Sequence, residues 1–381
     1  MTLRDDFLLD PTVTFLNHGS FGATPRPVLD AQRRWQDEME RQPVEFLGRR
    51  FYNLLAQSRK NLADYLGTQP NNLVYVTNAT TGVNIIAHSL NLGPGDEVLT
   101  TDHEYGACDR AWRFYAHRQG FKYTNQTVSL PVTDPLQFVD SFWQGVNSNT
   151  RVIYISHITS PTALIFPVDL ICARARKAGI MTVVDGAHAP GQIPLSLDAL
   201  GADFYTGNLH KWLCAPKGSA FLYARPEVQN LIHPLTVSWG WEAETPGPSP
   251  FIDYLEWTGT RDISAFLAVP DAIAYQESRQ WPALRASCHE LAAQTQQRIT
   301  RLTGLAPLHP NDPVWFAQMA SSPLPSHVNA AWLKEQLYSQ FRVEVPIVTW
   351  NNRIFVRYSF QAYNTPDESD TLIRALELLI K

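Results

Sequence analysis

Between about residues 50 and 225, short apolar runs alternate with longer segments of helical periodicity. The apolar runs, many of them β-branched, predict seven strands, which are Leu73–Thr77, Glu97–Thr101, Tyr123–Ser129, Arg151–Ser156, Met181–Asp185, Asp203–Thr206 and Ala220–Tyr223. Helices are expected in most of the gaps between these strands. The alternation is typical of βαβ units, and it predicts an α/β fold built on a mostly parallel seven-stranded sheet.

The pattern changes on either side of this region. Upstream, apolar positions from Phe51 to Leu66 share one helical face, and Gly67 follows where a helix C-cap glycine belongs. Downstream lies a smaller α+β region, for which we predict a helix over residues 263–303, strands over 342–348 and 354–360, and a closing helix over 367–380.

Composition and charge narrow the class of protein. The chain has 381 residues, of which 44% are hydrophobic and 18% charged, which suits about two folded domains and excludes charge-rich disorder. A formal net charge of −5 argues against a nucleic-acid partner. Asp5 and Asp6 stand where a signal peptide would carry basic residues, and no run of 18 apolar residues follows, so we expect no membrane segment.

The four cysteines are far apart, without a CxxC pair or neighbouring histidines at metal spacing. This arrangement predicts neither disulfides nor a metal site, and it favours a reducing, cytoplasmic location. The cysteines are better interpreted as small buried hydrophobic residues.

Ligands of an open α/β sheet bind beyond the carboxyl ends of its strands, so the residues that follow each predicted strand are the candidates for chemistry. After the first strand, Thr80 and Thr81 stand in a small-residue turn at the start of a helix. Their hydroxyls and the free backbone N–H groups fit a phosphate, and ordinary Ser/Thr capping of the helix is the alternative.

Two later strand ends carry a carboxylate, imidazoles and an amine. Asp185 and His188 follow the fifth strand, whereas Asn208, His210 and Lys211 follow the sixth. A lysine between a histidine and a tryptophan at this edge is partly desolvated, which lowers its pKa and frees the amine to form a Schiff base. Each residue taken singly has a structural alternative, namely a capping aspartate, a buried core histidine or a lysine that extends from a surface loop.

The combination of these groups indicates a cofactor. Pyridoxal 5′-phosphate (PLP) needs a lysine amine for its aldehyde, an acidic partner for its pyridinium nitrogen, donors for its phosphate and a ring against one face. The chain offers such groups in order, with Tyr105 and His103 after the second strand as the two candidate rings. We therefore predict a PLP enzyme.

These residues resemble the class V aminotransferase family of PLP-dependent enzymes over nearly the whole chain. The matching segments are Val184–Gly191, His210–Lys211, Trp257–Thr260, Val356–Phe360 and Tyr363–Thr365, and the segments that look like the isopenicillin N epimerase branch of the family are Phe15–Gly22 and Val237–Trp241. The resemblance implies the aspartate aminotransferase-like fold of PLP-dependent transferases. It further implies an N-terminal segment packed near the active site and the small domain, a large PLP-binding domain and a small C-terminal domain, at residues 1–30, 31–262 and 263–381.

Carried over position by position, the resemblance also implies roles. Lys211 would bind the cofactor and move the proton at the substrate α-carbon, Asp185 would pair with the pyridine nitrogen, and His188 would hydrogen-bond the ring 3′-oxygen. Tyr105 would stack on the ring, with His103 as the alternative. The phosphate would be held by Thr80, Thr81, Asn208 and His210, and by Gly259 and Thr260 of a neighbouring subunit, so a homodimer is expected.

The resemblance places three further residues around an amino-acid-like substrate. Arg357 would bind the α-carboxylate, a task suited to a planar bidentate donor, and an ion pair within the small domain is the alternative. Asn17 and His18 would line the substrate pocket, or else form a structural turn.

Two departures separate the chain from the cysteine desulfurases of the family. The stretch Val343–Trp350, where a desulfurase carries its nucleophile, contains no cysteine, and the nearest earlier one is Cys288 in the predicted long helix. His188 stands where desulfurases usually carry Gln, and it adds a group that titrates near neutral pH. We therefore expect no desulfurase of the usual type.

The expected reaction begins with abstraction of the substrate α-proton. Epimerisation is the leading outcome, and its second acid would be His18, Tyr105 or a water. A C–S lyase or an aminotransferase is the alternative, and a non-catalytic binding protein on the same fold is the rival from another class.

Overall fold

The computed structural model describes residues 3–380. The strands are β1 (Thr14–Phe15), β2 (Leu73–Val76), β3 (Glu97–Thr101), β4 (Lys122–Gln126), β5 (Thr150–Ser156), β6 (Met181–Asp185), β7 (Phe204–Asn208), β8 (Ala220–Ala224), β9 (Met319–Leu324), β10 (Val343–Glu344), β11 (Ile347–Trp350) and β12 (Arg353–Ser359). The α-helices are α1 (His18–Phe21), α2 (Arg26–Arg41), α3 (Phe51–Leu66), α4 (Ala79–Ser89), α5 (Gly106–Gln119), α6 (Pro135–Trp143), α7 (Val168–Lys177), α8 (Leu197–Leu200), α9 (Pro250–Glu256), α10 (Ser264–Leu267), α11 (Val269–Glu277), α12 (Trp281–Thr303), α13 (Ala330–Phe341) and α14 (Pro366–Leu379). Short 3₁₀ turns lie at Leu3–Asp6, Pro70–Asn72 and Pro226–Leu231, and a π-helical turn lies at Val44–Arg50.

The large sheet has seven strands in the order β2-β8-β7-β6-β5-β3-β4. Strands β4, β3, β5, β6 and β7 pair in parallel, whereas β8 runs antiparallel to both β7 and β2. The mostly parallel seven-stranded sheet predicted from the sequence is therefore confirmed. Because β2, β3, β5, β6 and β7 point the same way, their carboxyl ends share one edge.

Alternate side chains of each strand enter two separate cores, as the pleat of a strand requires. On β5, Val152 and Tyr154 belong to one apolar cluster, and Ile153 and Ile155 belong to the other. The first cluster includes side chains of α4 and α5, and the second includes side chains of α3 and α7. The large sheet is therefore buried on both faces.

A second, smaller sheet of order β11-β12-β9 is antiparallel and packs with α12, α13 and α14. The N-terminal strand β1 pairs in parallel with β10. Thr14 and Phe15 therefore join the smaller unit before the chain enters the large one.

The region after residue 262 differs from the prediction in detail. The expected single helix over 263–303 is three helices, because Pro270 and Pro282 occupy the first turns of α11 and α12, where proline begins a helix. Apolar side chains from Ile263 to Trp281 pack in the core beside the large sheet, whereas α12 from Cys288 onward packs in the smaller unit. The domain boundaries at residues 30 and 262 stay predictions.

Within residues 3–380, every helix falls short of the length and apolar character needed to cross a membrane.

Candidate active site

The carboxyl edge of the large sheet encloses a cavity of about 490 Å³. It is lined by eight of the residues predicted from the sequence, which are Thr80, Thr81, Tyr105, Asp185, His188, Asn208, His210 and Lys211. The topology explains this grouping, since these residues end or follow β2, β3, β6 and β7, whose carboxyl ends meet at this edge.

Lys211 lies in the bend after β7, with its Nζ atom 3.2 Å from Nε2 of His188. Burial lowers the pKa of the Lys211 amine to about 8; the nearby Arg357 guanidinium acts in the same direction, and the Asp185 carboxylate opposes it. The lowered pKa expected from a desolvated site is thus present. Such an amine reaches its neutral, nucleophilic form at much lower pH than an ordinary lysine.

Asp185 ends β6 and is buried. Its Oδ1 accepts the backbone N–H of Ala187 at 2.9 Å, and its Oδ2 accepts the hydroxyl of Tyr154 at 3.2 Å. Burial raises the pKa of this carboxyl above its usual range, although these hydrogen bonds and the Lys211 charge oppose the shift. A buried carboxylate that lines a cavity in this way suits a cationic ring nitrogen.

His188 lies between Lys211 and Trp212. The indole Nε1–H of Trp212 donates to Nδ1 of His188 at 3.3 Å, and Nε2 faces Lys211. Burial, reinforced by the charges of Lys211 and Arg357, lowers the pKa of His188 well below its usual range. The expectation that His188 titrates near neutral pH is therefore wrong, because a desolvated imidazole beside two cations stays neutral.

The N-terminus of α4 forms one end of the cavity. Asn78 caps the helix by accepting the backbone N–H of Thr81 at 2.8 Å, and Asn208 accepts the N–H of Ala79 at 2.8 Å. Capping, the alternative weighed for the threonines, thus falls to Asn78. Thr80 and Thr81 line the cavity at this helix N-terminus, the kind of place that binds a phosphate, and the Thr81 hydroxyl donates to Oδ1 of Asn78 at 3.1 Å.

His210 completes this end of the cavity. Its Nδ1 lies 3.1 Å from the backbone carbonyl of Ser219, which can only accept, so Nδ1 carries the proton and Nε2 is left for a ligand. Burial lowers the pKa of His210 to about 4.

The two candidate stacking rings occupy different surroundings. Tyr105 lines the cavity and is 46% exposed. His103 is fully buried, with its Nδ1 2.8 Å from the Thr162 hydroxyl and its ring centroid 4.2 Å from that of Trp350. Of the two rings, Tyr105 is therefore the one that can meet a ligand.

Arg357 lies on β12 and is buried against the cavity edge. Its guanidinium donates to the backbone carbonyl of Ser160 at 2.6 Å and to the hydroxyl of Ser20 at 3.1 Å, while its Nε has no hydrogen-bond partner within residues 3–380. Burial lowers the pKa of Arg357 to about 10, and no carboxylate among the described residues counters this shift. The ion pair of Arg357 within the small domain, considered as an alternative, is absent among residues 3–380. The guanidinium can therefore bind an anion.

Asn17 and His18 lie behind Lys211 and do not line the cavity. His18 is fully buried, and its Nε2–H donates to the backbone carbonyl of Lys211 at 3.0 Å while Nδ1 accepts the hydroxyl of Tyr363 at 2.9 Å. Asn17 accepts the hydroxyl of Ser20 and donates to Glu344. Their expected contacts with substrate are thus replaced by supporting ones, because the short helix α1 turns these side chains inward.

Other residues of the N-terminal segment Phe15–Gly22 do line the cavity. Ser20 and Phe21 line the cavity, and Ser20 also accepts from Arg357. Gly22 has a φ of +70°, and a Cβ at this position would collide with the carbonyl oxygen of His210. The glycine therefore allows the N-terminal segment Phe15–Gly22 to pack closely against the segment that carries Lys211.

Gly259 and Thr260 lie outside the cavity. Gly259 has a φ of +112° with open space around its Cβ position, and Thr260 is exposed. Their predicted contact with the phosphate of a neighbouring subunit stays a prediction.

The sequence analysis missed several residues that support the site. Tyr154 hydrogen-bonds Asp185, the buried Cys108 thiol helps to lower the pKa of the same carboxyl, and Ser20 and Ser160 hold Arg357. Cys108 is buried as predicted, yet it also has this polar role. Signals existed for Ser160, which follows a predicted strand end, and for Ser20, which lies in the matching segment Phe15–Gly22. Tyr154 and Cys108 look like ordinary core positions in the sequence.

Comparison with known proteins agrees with this arrangement. A model of the family described as aminotransferase class-V matches residues 15–372. The isopenicillin N epimerase of Amycolatopsis lactamdurans is 37% identical, covering 99% of this chain and 98% of that protein. A probable chloroplastic L-cysteine desulfhydrase of Arabidopsis thaliana is 29% identical, covering 98% of this chain and 84% of that protein. Among solved structures, a C-DES variant with glycine covalently linked to its PLP cofactor superimposes with a TM-score of 0.85 at 22% identity over 98% of both chains, which shows a shared fold. The chain belongs to the class V aminotransferase family.

Proposed function

We propose that this chain is a PLP-dependent enzyme that abstracts the α-proton of an amino acid or amino-acid derivative and epimerises it, as an enzyme of the isopenicillin N epimerase type. One arrangement carries this conclusion. The buried amine of Lys211 and carboxylate of Asp185 line one cavity, and the buried guanidinium of Arg357, which has no acidic partner among the described residues, donates to Ser160 and Ser20 in the cavity wall. The 37% identity to an isopenicillin N epimerase over the full chain supports the type of reaction.

The cavity residues fit PLP as a set. Bound there, PLP supplies an electrophilic carbon that accepts amines and a ring that draws electrons from the substrate α-carbon. Lys211 would hold the cofactor covalently, Asp185 would keep the ring nitrogen protonated, and the Nε2–H of His188 would donate to the ring 3′-oxygen. Tyr105 would cover one face of the ring. The phosphate would be held by Thr80, Thr81 and Asn208, and by His210 in its doubly protonated form, which the negative charge of the phosphate would favour, because the neutral Nδ1–H ring has no proton on Nε2 to donate.

The substrate would be oriented from the opposite side by Arg357. Its guanidinium is fixed by Ser160 and Ser20, so a carboxylate bound to it would be held with little further loss of side-chain entropy. Lys211, with a pKa lowered to about 8, is matched to taking and returning an α-proton near neutral pH.

Epimerisation also needs a proton donor on the other face of the α-carbon. His18 is unsuited to this role, because it is buried behind Lys211 and burial lowers its pKa to about 3. Tyr105 lines the cavity and is half exposed, so it is the protein group we assign, with a water as the alternative.

C–S elimination is the second candidate, since the chain is 29% identical to a probable L-cysteine desulfhydrase. Persulfide chemistry of the usual desulfurase type has little support. All four cysteines are buried, and burial raises the pKa of each thiol. Such thiols are poor nucleophiles.

We also propose a cytoplasmic homodimer in which Gly259 and Thr260 complete the partner's phosphate site. Both residues are accessible rather than packed within their own subunit. Large apolar side chains are exposed in the described structure, including Val237 and Trp239, and contact with a second subunit would bury such side chains.

The reaction can be tested with single enantiomers of candidate amino acids in deuterated water. An epimerase incorporates solvent deuterium at the α-carbon and produces the opposite enantiomer, whereas a C–S lyase releases pyruvate from a cysteine derivative. Lys211→Ala serves as the control and should abolish either reaction. Exchange that persists unchanged in this variant would refute the assignment of Lys211.

A further inference from the structure

Trp212 and His188 form a buried hydrogen bond beside Lys211. The indole Nε1–H of Trp212 lies 3.3 Å from Nδ1 of His188, and both side chains are at least 97% buried. An indole nitrogen can only donate, so Nδ1 must accept. Because a ring nitrogen that accepts carries no proton, the proton of the neutral imidazole resides on Nε2.

The doubly protonated form of His188 is disfavoured as well. It would place a proton on Nδ1 against the indole N–H, in a buried site where Lys211 and Arg357 already repel positive charge. The backbone carbonyl of His188 accepts from Gln192, and the ring itself has Trp212 and Lys211 as its hydrogen-bond partners. Of these two partners, only Trp212 has a fixed direction when the Lys211 amine is neutral, because a neutral amine can donate or accept whereas an indole N–H can only donate.

The selected proton points at the reactive amine. Nε2 of His188 lies 3.2 Å from Nζ of Lys211. An N–H at this place can donate to a neutral amine, whereas it would oppose the N–H groups of an ammonium. The same N–H is the group that would donate to the 3′-oxygen of bound PLP.

We infer that Trp212 is a positioning residue, which holds the proton of His188 on Nε2 and so presents Lys211 and the cofactor with a donor rather than an acceptor. This role rests on the proposed function. An amide side chain at position 188 would need no such partner, because its NH₂ group always donates; an imidazole becomes an equivalent donor only when its tautomer is fixed.

Trp212→Phe removes the donor and keeps an aromatic ring. Trp281→Phe is the matched control, because Trp281 is also buried and its Nε1 has no hydrogen-bond partner in the described part of the chain. Selective ¹⁵N-histidine labelling and NMR of the protein without cofactor would report the tautomer of His188, with His188→Gln identifying its signals. We expect an Nε2–H imidazole in the wild type and in Trp281→Phe, and a substantial Nδ1–H population in Trp212→Phe.

The functional readout is the pH midpoint at which PLP forms its covalent bond with Lys211, followed by visible absorption. The other groups that face this pair are unchanged in every variant, and they are Asp185, Arg357, His210, His18 and Cys108. In Trp212→Phe, His188 can accept from the Lys211 ammonium, so the midpoint should rise by about one pH unit. In the His188→Gln background, adding Trp212→Phe should cause no further rise.

A wild-type imidazole with its proton on Nδ1 would overturn the inference even if PLP binds to Lys211. A midpoint in Trp212→Phe equal to that of Trp281→Phe, or a shift that persists in the His188→Gln background, would overturn it as well. Failure of the wild type to bind PLP at Lys211 would instead refute the proposed function, and the tautomer measured without cofactor would still decide the role of Trp212.

Discussion

The guanidinium of Arg357 donates to the backbone carbonyl of Ser160 at 2.6 Å, across 197 residues of sequence. Ser160 lines the cavity shortly after β5 of the large sheet, and Arg357 lies on β12 of the smaller sheet. The hydrogen bond joins the two units at the cavity. If Arg357 binds a substrate carboxylate as proposed, this recognition would depend on how the units pack as well as on Arg357 itself.

Arg357→Gln should lower kcat/KM roughly 100-fold, because the loss of a charged, two-point contact with a carboxylate costs about 3 kcal/mol. Steady-state kinetics with the substrate found in the enantiomer screen would measure the change. Arg353→Gln is the control, since Arg353 is exposed on the same strand, and it should retain wild-type kinetics. Equal losses in both variants would show that Arg357 does not bind the carboxylate.

Asp185→Asn should leave the covalent bond between PLP and Lys211 intact and slow α-proton exchange by roughly 100-fold. The amide keeps the shape of the side chain but removes the negative charge that favours a protonated ring nitrogen. The visible absorption band and the rate of deuterium incorporation separate these two effects. Unchanged exchange would contradict the role of Asp185.

The rate at which PLP attaches to the cofactor-free protein should rise about tenfold per pH unit up to about pH 8 and then level off. The neutral amine is the nucleophile, and burial lowers the pKa of Lys211 to about 8, so the reactive fraction saturates above that value. Stopped-flow absorbance between about pH 6 and pH 10 would record the profile, because this range covers roughly two pH units on each side of the midpoint. A rate that continues to climb to pH 10 would indicate an ordinary, solvated lysine.

Gly22→Ala should destabilise the fold by more than about 3 kcal/mol, whereas Gly218→Ala should cost only about 1 kcal/mol. Both glycines have positive φ, but a Cβ at Gly22 meets the His210 carbonyl oxygen and one at Gly218 meets open space. Urea unfolding of the two variants compares them directly. Similar losses of unfolding free energy in the two variants would mean that the N-terminal segment Phe15–Gly22 does not pack closely against the Lys211 segment.

Much of the candidate site could be predicted from the sequence because strand ends are local features. The strands appear as apolar runs, and parallel pairing brings the residues after them, such as Asp185 and Lys211, to one edge. Tyr105 and His103 could not be separated in this way. They are two residues apart in sequence, and what buries His103 is its contact with Thr162 and Trp350, which are far away in sequence.

The parts that could not be predicted depend on packing between distant segments. The inward turn of His18 needs the Lys211 carbonyl and Tyr363, and the position of Arg357 needs Ser20 and Ser160. The helical breaks near residues 268 and 280 were readable in principle, since Pro270 and Pro282 mark them. The packing of residues 263–281 beside the large sheet could not be predicted, because helical periodicity does not reveal which core a helix joins.

The attachment of PLP to Lys211 is most directly tested by reducing the protein with borohydride after incubation with PLP and mapping the modified peptide by mass spectrometry. We expect one pyridoxyl group per chain, on Lys211, and no specific labelling in Lys211→Ala. Labelling of another lysine, or no stable labelling of the wild type, would contradict the assignment of the active site.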